Sequence, residues 1–171
     1  MRRSLCAIAF ATVLLVAWTA VPAAELGGTS WTMDGVSRAK AKGHGQDRGA
    51  IGAILEFDGL PADTEGTCLL TLYTPDAVPL PCTWTTGQGR RFQVDVDDAE
   101  LASALVEYFR GVSGEQDVAV VVAKERVHGV AHPTKPRISL KTKFKGVVSV
   151  GDEAGIGFTM RLTLVGAPSD V

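Results

Sequence analysis

The stretch RISLKTKFKGVVSV, from Arg137 to Val150, alternates polar with apolar residues over most of its length. Arg137, Ser139, Lys141, Lys143 and Lys145 share one face, while Ile138, Leu140, Thr142, Phe144, Val148 and Val150 share the other. Side chains of an extended chain point alternately to opposite faces, so a period of two marks a strand with one dry and one wet side. A helix would scatter the same residues around its circumference. The phase slips at Gly146-Val147, where a bulge is expected.

The same period continues outward from this stretch. Downstream, Gly151 to Ala154 (GDEA) reads as a turn and Gly155 to Val165 as a returning strand, with Phe158, Met160, Leu162 and Leu164 on one face. Upstream, Asp117 to Val127 reads as a strand and His128 to Pro136 as a loop. Earlier strands are expected at Trp31–Lys42, Ala50–Phe57, Thr67–Tyr73, Cys82–Thr86 and Arg91–Asp95. Gly43 to Gly49 (GHGQDRG), Asp58-Gly59 and Gly87-Gln88-Gly89 separate them as loops and turns. Thr74 to Pro81 holds three prolines and is assigned to irregular chain or a sheet edge, because proline donates no ladder hydrogen bond.

One segment changes period. Leu101, Ala104, Leu105, Tyr108 and Phe109 recur at helical spacing. Asp97 is placed to cap this helix, with Glu100 reaching back in a capping box, and Gly111 and Gly114 end it. The expected fold is therefore all-β with one helix: an antiparallel meander of about eight strands, closed as a barrel or half-barrel. A two-sheet sandwich is the alternative.

Residues 1–23 follow a different logic. Arg2 and Arg3 precede an apolar run from Leu5 to Trp18, and small residues follow through Ala24. This is the plan of a secretory signal peptide, expected to be cut after Ala23. The run is shorter than the roughly 20 residues that span a bilayer, so no stable membrane insertion is expected after cleavage. The expected organisation is a signal at 1–23, one β-rich domain at 24–166 and a flexible tail at 167–171. The destination is the periplasm or the extracellular space. Without Arg2 and Arg3, 15 basic and 19 acidic residues remain, a balance that speaks against nucleic acid as a partner. Two cysteines also remain, Cys68 and Cys82, and an even count in an exported chain points to a disulfide.

No catalytic constellation stands out. There is no G-x-S-x-G elbow and no nucleophile–base pair, so no catalytic residue, metal or cofactor is assigned. His128 and His132 have metal-like spacing, but four extended residues hold them about 13 Å apart, too far for one ion. Asp95, Asp97, Asp98 and Glu100 lack the spacing of a calcium loop and read as a strand end and a helix cap. Two basic stripes remain: Arg38, Lys40 and Lys42 on the first strand, and Lys141, Lys143 and Lys145 with Arg137 on the seventh. If those strands are neighbours, they form a positive patch suited to an anionic small ligand, lipid headgroups or an anionic polysaccharide. Otherwise they are the solvated outer face of a sheet, with lysines discouraging edge pairing.

The leader, a tryptophan near the first strand, an eight-strand meander, one helix and one disulfide together resemble the lipocalin-like (calycin) class. That class opens on a glycine-x-tryptophan motif; here the run is Gly28-Thr29-Ser30-Trp31, one residue longer. Its helix follows the barrel, whereas here it follows the fifth strand. The resemblance implies carriage of a small apolar ligand and transfers no individual binding residue. On this reading Phe144, Phe158, Leu162 and Trp84 are the candidate ligand contacts. A second reading is a filled-core interaction protein acting through the basic stripe. A third is an outer-membrane barrel, with lysines lining a lumen and the apolar face toward lipid.

Overall fold

The computed structural model describes residues 25–74, 76–132 and 135–169. The expected signal peptide, Pro75, Pro133 and the last two residues of the expected tail lie outside the described residues. The strands are β1 (Ser30–Ala41), β2 (Gly45–Phe57), β3 (Glu65–Thr74), β4 (Asp76–Thr86), β5 (Arg91–Val96), β6 (Val118–Lys124), β7 (Val127–His132), β8 (Arg137–Val150) and β9 (Glu153–Pro168), with one helix, α1 (Asp98–Ser113), between β5 and β6. The strand order β7-β5-β4-β3-β2-β1-β9 is closed by β8, which pairs with both β7 and β9. The result is an eight-strand antiparallel barrel with β6 as an extra strand. The sandwich alternative is thereby set aside.

The ninth strand comes from the segment expected to be a loop. Val127 to His132 pairs with Thr142 to Arg137 on β8 and with β5 at Val94 to Arg91. β6 and β7 lie end to end along the same side of β8: β7 takes its first half, and β6 its second, at Lys145 to Val150. They are one strand interrupted where its outer neighbour changes. Glu125 stands at the break and accepts the backbone N–H of Val96, the last residue of β5, at 3.0 Å. Burial raises its carboxyl pKa; the Val96 N–H opposes that, and the Asp98 and Asp95 charges add to it.

The alternation in β8 does not slip. Residues 138, 140, 142, 144, 146 and 148 all face inward, and Gly146 occupies an inward place where a side chain would strike the Val121 carbonyl and the Phe158 ring. The irregularities lie in its pairing instead: against β6 between Val122 and Lys124, and against β9 between Val148 and Val150. The proline-rich segment proves to be an edge. Pro79 and Pro81 sit in β4 opposite Thr71 and Leu69, while β5 covers only Cys82 to Thr86. The Pro81 carbonyl accepts the Asp97 N–H at 3.4 Å, so this side of β4 faces away from β3, where the missing proline N–H groups leave no ladder bond unmade.

Apolar side chains fill the interior. Trp84, Phe144, Leu55, Leu70, Leu80, Leu140 and Leu164 are all fully buried. Phe57 meets Trp84 and Phe92 edge to face, each at 5.5 Å between ring centres. Cys68 and Cys82 stand directly opposite in β3 and β4, 4.8 Å apart at Cα, and are joined by the disulfide. β9 runs on to Pro168, because Ala167 and Pro168 are registered against Thr32 and Trp31. Cations stand outside and apolar residues inside, the reverse of a membrane-spanning barrel, so the outer-membrane reading is set aside.

Candidate functional site

The helix positions the first candidate site. Asp97 caps it, its carboxylate accepting the N–H groups of Ala99 and Glu100 at 2.9 and 3.1 Å. Glu100 does not complete a capping box, because Pro81 already takes the Asp97 amide. Gly111 is tolerated inside α1, and the stop comes at Gly114 with φ +75°. Leu101 and Leu105 bury themselves in the core, and Phe109 packs edge-on against Phe158 of β9 at 5.1 Å.

Between α1 and the ends of the β1–β2 and β8–β9 hairpins lies a partly open pocket of about 260 Å³. Ala39, Phe109, Val148, Val150, Ile156 and Phe158 make it apolar; Lys40, His44, Asp47, Tyr108 and Ser113 supply polar groups. Of the four candidate ligand contacts, Phe158 lines this pocket. Phe144 lies one inward step along β8 from Gly146, the residue opposite Phe158, and it is buried in the core with Leu162 and Trp84. Sequence periodicity assigned these residues to the inward face; it carried no information on which end of the barrel α1 covers.

Tyr108 ties the helix to the β1–β2 hairpin by donating its phenol hydrogen to Asp47 Oδ2 at 3.2 Å. Burial, the Asp47 charge and this hydrogen bond push its pKa up from 10.0 to about 12. The protonated phenol thus contributes stability that is complete below pH 10 and is lost as pH rises toward 12. In a Tyr73→Phe variant, which leaves Tyr108 as the remaining tyrosine, phenolate absorbance should rise with a midpoint near 12. A midpoint at 10 would mean that the tie to Asp47 does not hold.

The second candidate site is on the outer wall. β1 and β8 are not neighbours; β9 lies between them and supplies the link. Arg38 on β1 stands opposite Arg48 on β2 and Arg161 on β9, and Arg161 stands opposite Lys143 on β8. Lys143 exchanges both backbone hydrogen bonds with Arg126, at the β6–β7 break. A second row runs beside the first: Gln46, Lys40, Thr159, Lys145 and Lys124. Lys141 and Lys42 flank the two rows. The Lys143 ammonium is pushed below its ordinary pKa by Lys145 and Arg161, then by slight desolvation, Arg126 and Lys124. Arg48 and Arg161 were missed in the sequence because each is a lone cation on its strand, and Lys124 and Arg126 because they form only a short pair at the β6–β7 break. Register alone brings them into line.

Among the described residues no group of three His, Cys, Asp or Glu side chains is placed to hold a metal ion, and no helix is long and apolar enough to cross a membrane. The chain is, by architecture, a closed eight-strand antiparallel barrel with one helix at its end, a calycin-like plan. No protein-family model matches it, and no curated protein does.

Proposed function

We propose that this chain is an exported, non-enzymatic binding barrel, lipocalin-like in role, which takes one small apolar or amphipathic ligand in the pocket beneath α1. The pocket itself carries the reading: an apolar recess of about 260 Å³ on an otherwise well-filled barrel, with a few polar groups placed to orient a guest. Its size suits a compact ligand rather than a long lipid chain. The Cys68–Cys82 disulfide supports a working place in an oxidising compartment, and the basic, then apolar, then small-residue leader supports export.

The test is binding of a neutral fluorescent probe, N-phenyl-1-naphthylamine, to the native protein and to Ala39→Phe. The substitution places a ring in the pocket and is expected to weaken binding by about tenfold or more, equivalent to about 1.4 kcal/mol. Equal affinity in the two proteins, with both folded, would remove the pocket from consideration. Native mass spectrometry of protein from the exported fraction should then show a non-covalent mass that leaves on unfolding.

A further inference from the structure

We propose that the basic wall is a docking track for a linear acidic polysaccharide, separate from the end pocket. The central observation is a row of five cations, Arg48, Arg38, Arg161, Lys143 and Arg126, one from each of five adjacent positions around the barrel. Neighbouring strands lie about 4.8 Å apart, so the charges repeat at about that interval. No acidic residue stands in this row or in the one beside it, and among the described residues none of its cations is paired with a carboxylate.

Such a row is costly to the fold. Like charges directly opposite on adjacent strands destabilise a sheet, and three such pairs occur here in succession. Edge protection does not explain them: β1, β9 and β8 each have neighbours on both sides in a closed barrel and have no edge to guard. A bound polyanion does explain them, because it neutralises the repulsion on docking.

The shape of the row selects among polyanions. It runs across the strands and therefore around the curved wall. A flat bilayer meets a cylinder along a line and cannot reach all five cations together, whereas a flexible chain can follow the curve. Neither row contains an aromatic side chain on which a nucleic-acid base could stack. Four of the five cations are arginines, whose planar forks match carboxylate and sulfate groups in a bidentate way. A chain with one acidic group per monomer fits this pattern.

Polygalacturonate fragments provide the probe, measured by calorimetry at low salt against the full folded chain. The hexamer should bind about tenfold or more tighter than the dimer, because it engages the row end to end. Arg38→Glu/Arg161→Glu should cost at least about tenfold, and the neutral pair Arg38→Gln/Arg161→Gln a smaller but clear loss. Both pairs should keep or raise Tm, because they relieve repulsion on an exposed face. Arg90→Glu/Arg91→Glu, on the β4–β5 hairpin away from the row, should leave binding unchanged. The proposal is overturned if the hexamer binds no better than the dimer, or if the Arg38/Arg161 variants bind like the parent. It is equally overturned if phosphatidylglycerol vesicles or single-stranded DNA bind more tightly than the hexamer. The pocket reading stands or falls separately, on the neutral probe.

Discussion

Gly129→Ala is expected to lower Tm by about 6–12 °C, the shift that roughly 3 kcal/mol produces in a domain of this size. Gly129 faces the interior on β7, and the Phe92 ring of β5 lies flat across the place where a Cβ would stand, with ring carbons at 1.8 to 2.2 Å from it. An added methyl cannot share that space. The ring must leave its contact with Phe57, or the β5–β7 seam must part, and β5 has only four registered residues there. The double variant Gly129→Ala/Phe92→Leu should recover part of the loss, because the clash depends on the ring. Gly157→Ala on β9 is the control: nothing lies within 4 Å of its Cβ position, so its Tm should hold or rise slightly. A Gly129→Ala protein as stable as its parent would mean that Phe92 does not rest on this glycine.

The second large effect is expected from Cys68→Ala/Cys82→Ala. The bridge closes a loop with a sequence separation of 14 residues. In the chain-entropy account, releasing such a loop costs about 3 kcal/mol, chiefly by giving freedom back to the unfolded chain. Both cysteines are buried on the inner faces of β3 and β4, and alanine keeps those positions apolar, so the fold should survive and the unfolding midpoint should drop. Unfolded but unreduced parent protein should show no reactive thiol from either residue. A midpoint unmoved by the double substitution would show that the bridge does not restrain the unfolded chain.

These two predictions rest on different kinds of legibility. The cysteine pair was readable without coordinates, because the expected cleavage of the leader removes Cys6 and leaves one natural partner for each remaining thiol. The Gly129–Phe92 contact was not, because Gly129 fell in a segment read as a loop. Its short strand, VHGVAH, carries two histidines and a glycine and runs straight into the prolines of Pro133-Thr134-Lys135-Pro136, so the sequence there reads as a loop and local preference for a strand is weak. β8 and β5 on either side determine its conformation. The proline-rich part of β4 shows a related limit. Its composition argued against a central strand, and it is not one: it pairs on one side and leaves its proline nitrogens on the other.

The two candidate sites divide in the same way. Arg38, Lys40, Lys42, Lys141, Lys143 and Lys145 were visible as stripes because alternation places them on one face of their own strands. Arg48, Arg126 and Arg161 became part of one feature only when register lined them up. The pocket is a further step removed. Phe158 was identifiable as an inward residue, but its exposure to a recess depends on where α1 lies and on the Tyr108–Asp47 tie that holds it there.

By itself the sequence determined what repeats along the chain: the two-residue period of the strands, the single change to a helical period, the capping aspartate, and the cysteine pair. These follow from local geometry, which each segment carries with it. Only the tertiary structure decided that β9 stands between β1 and β8, that β6 and β7 share one side of β8, and which end of the barrel the helix covers. Those choices depend on contacts between residues far apart in sequence, where closing the barrel and filling its interior outweigh what any one segment prefers.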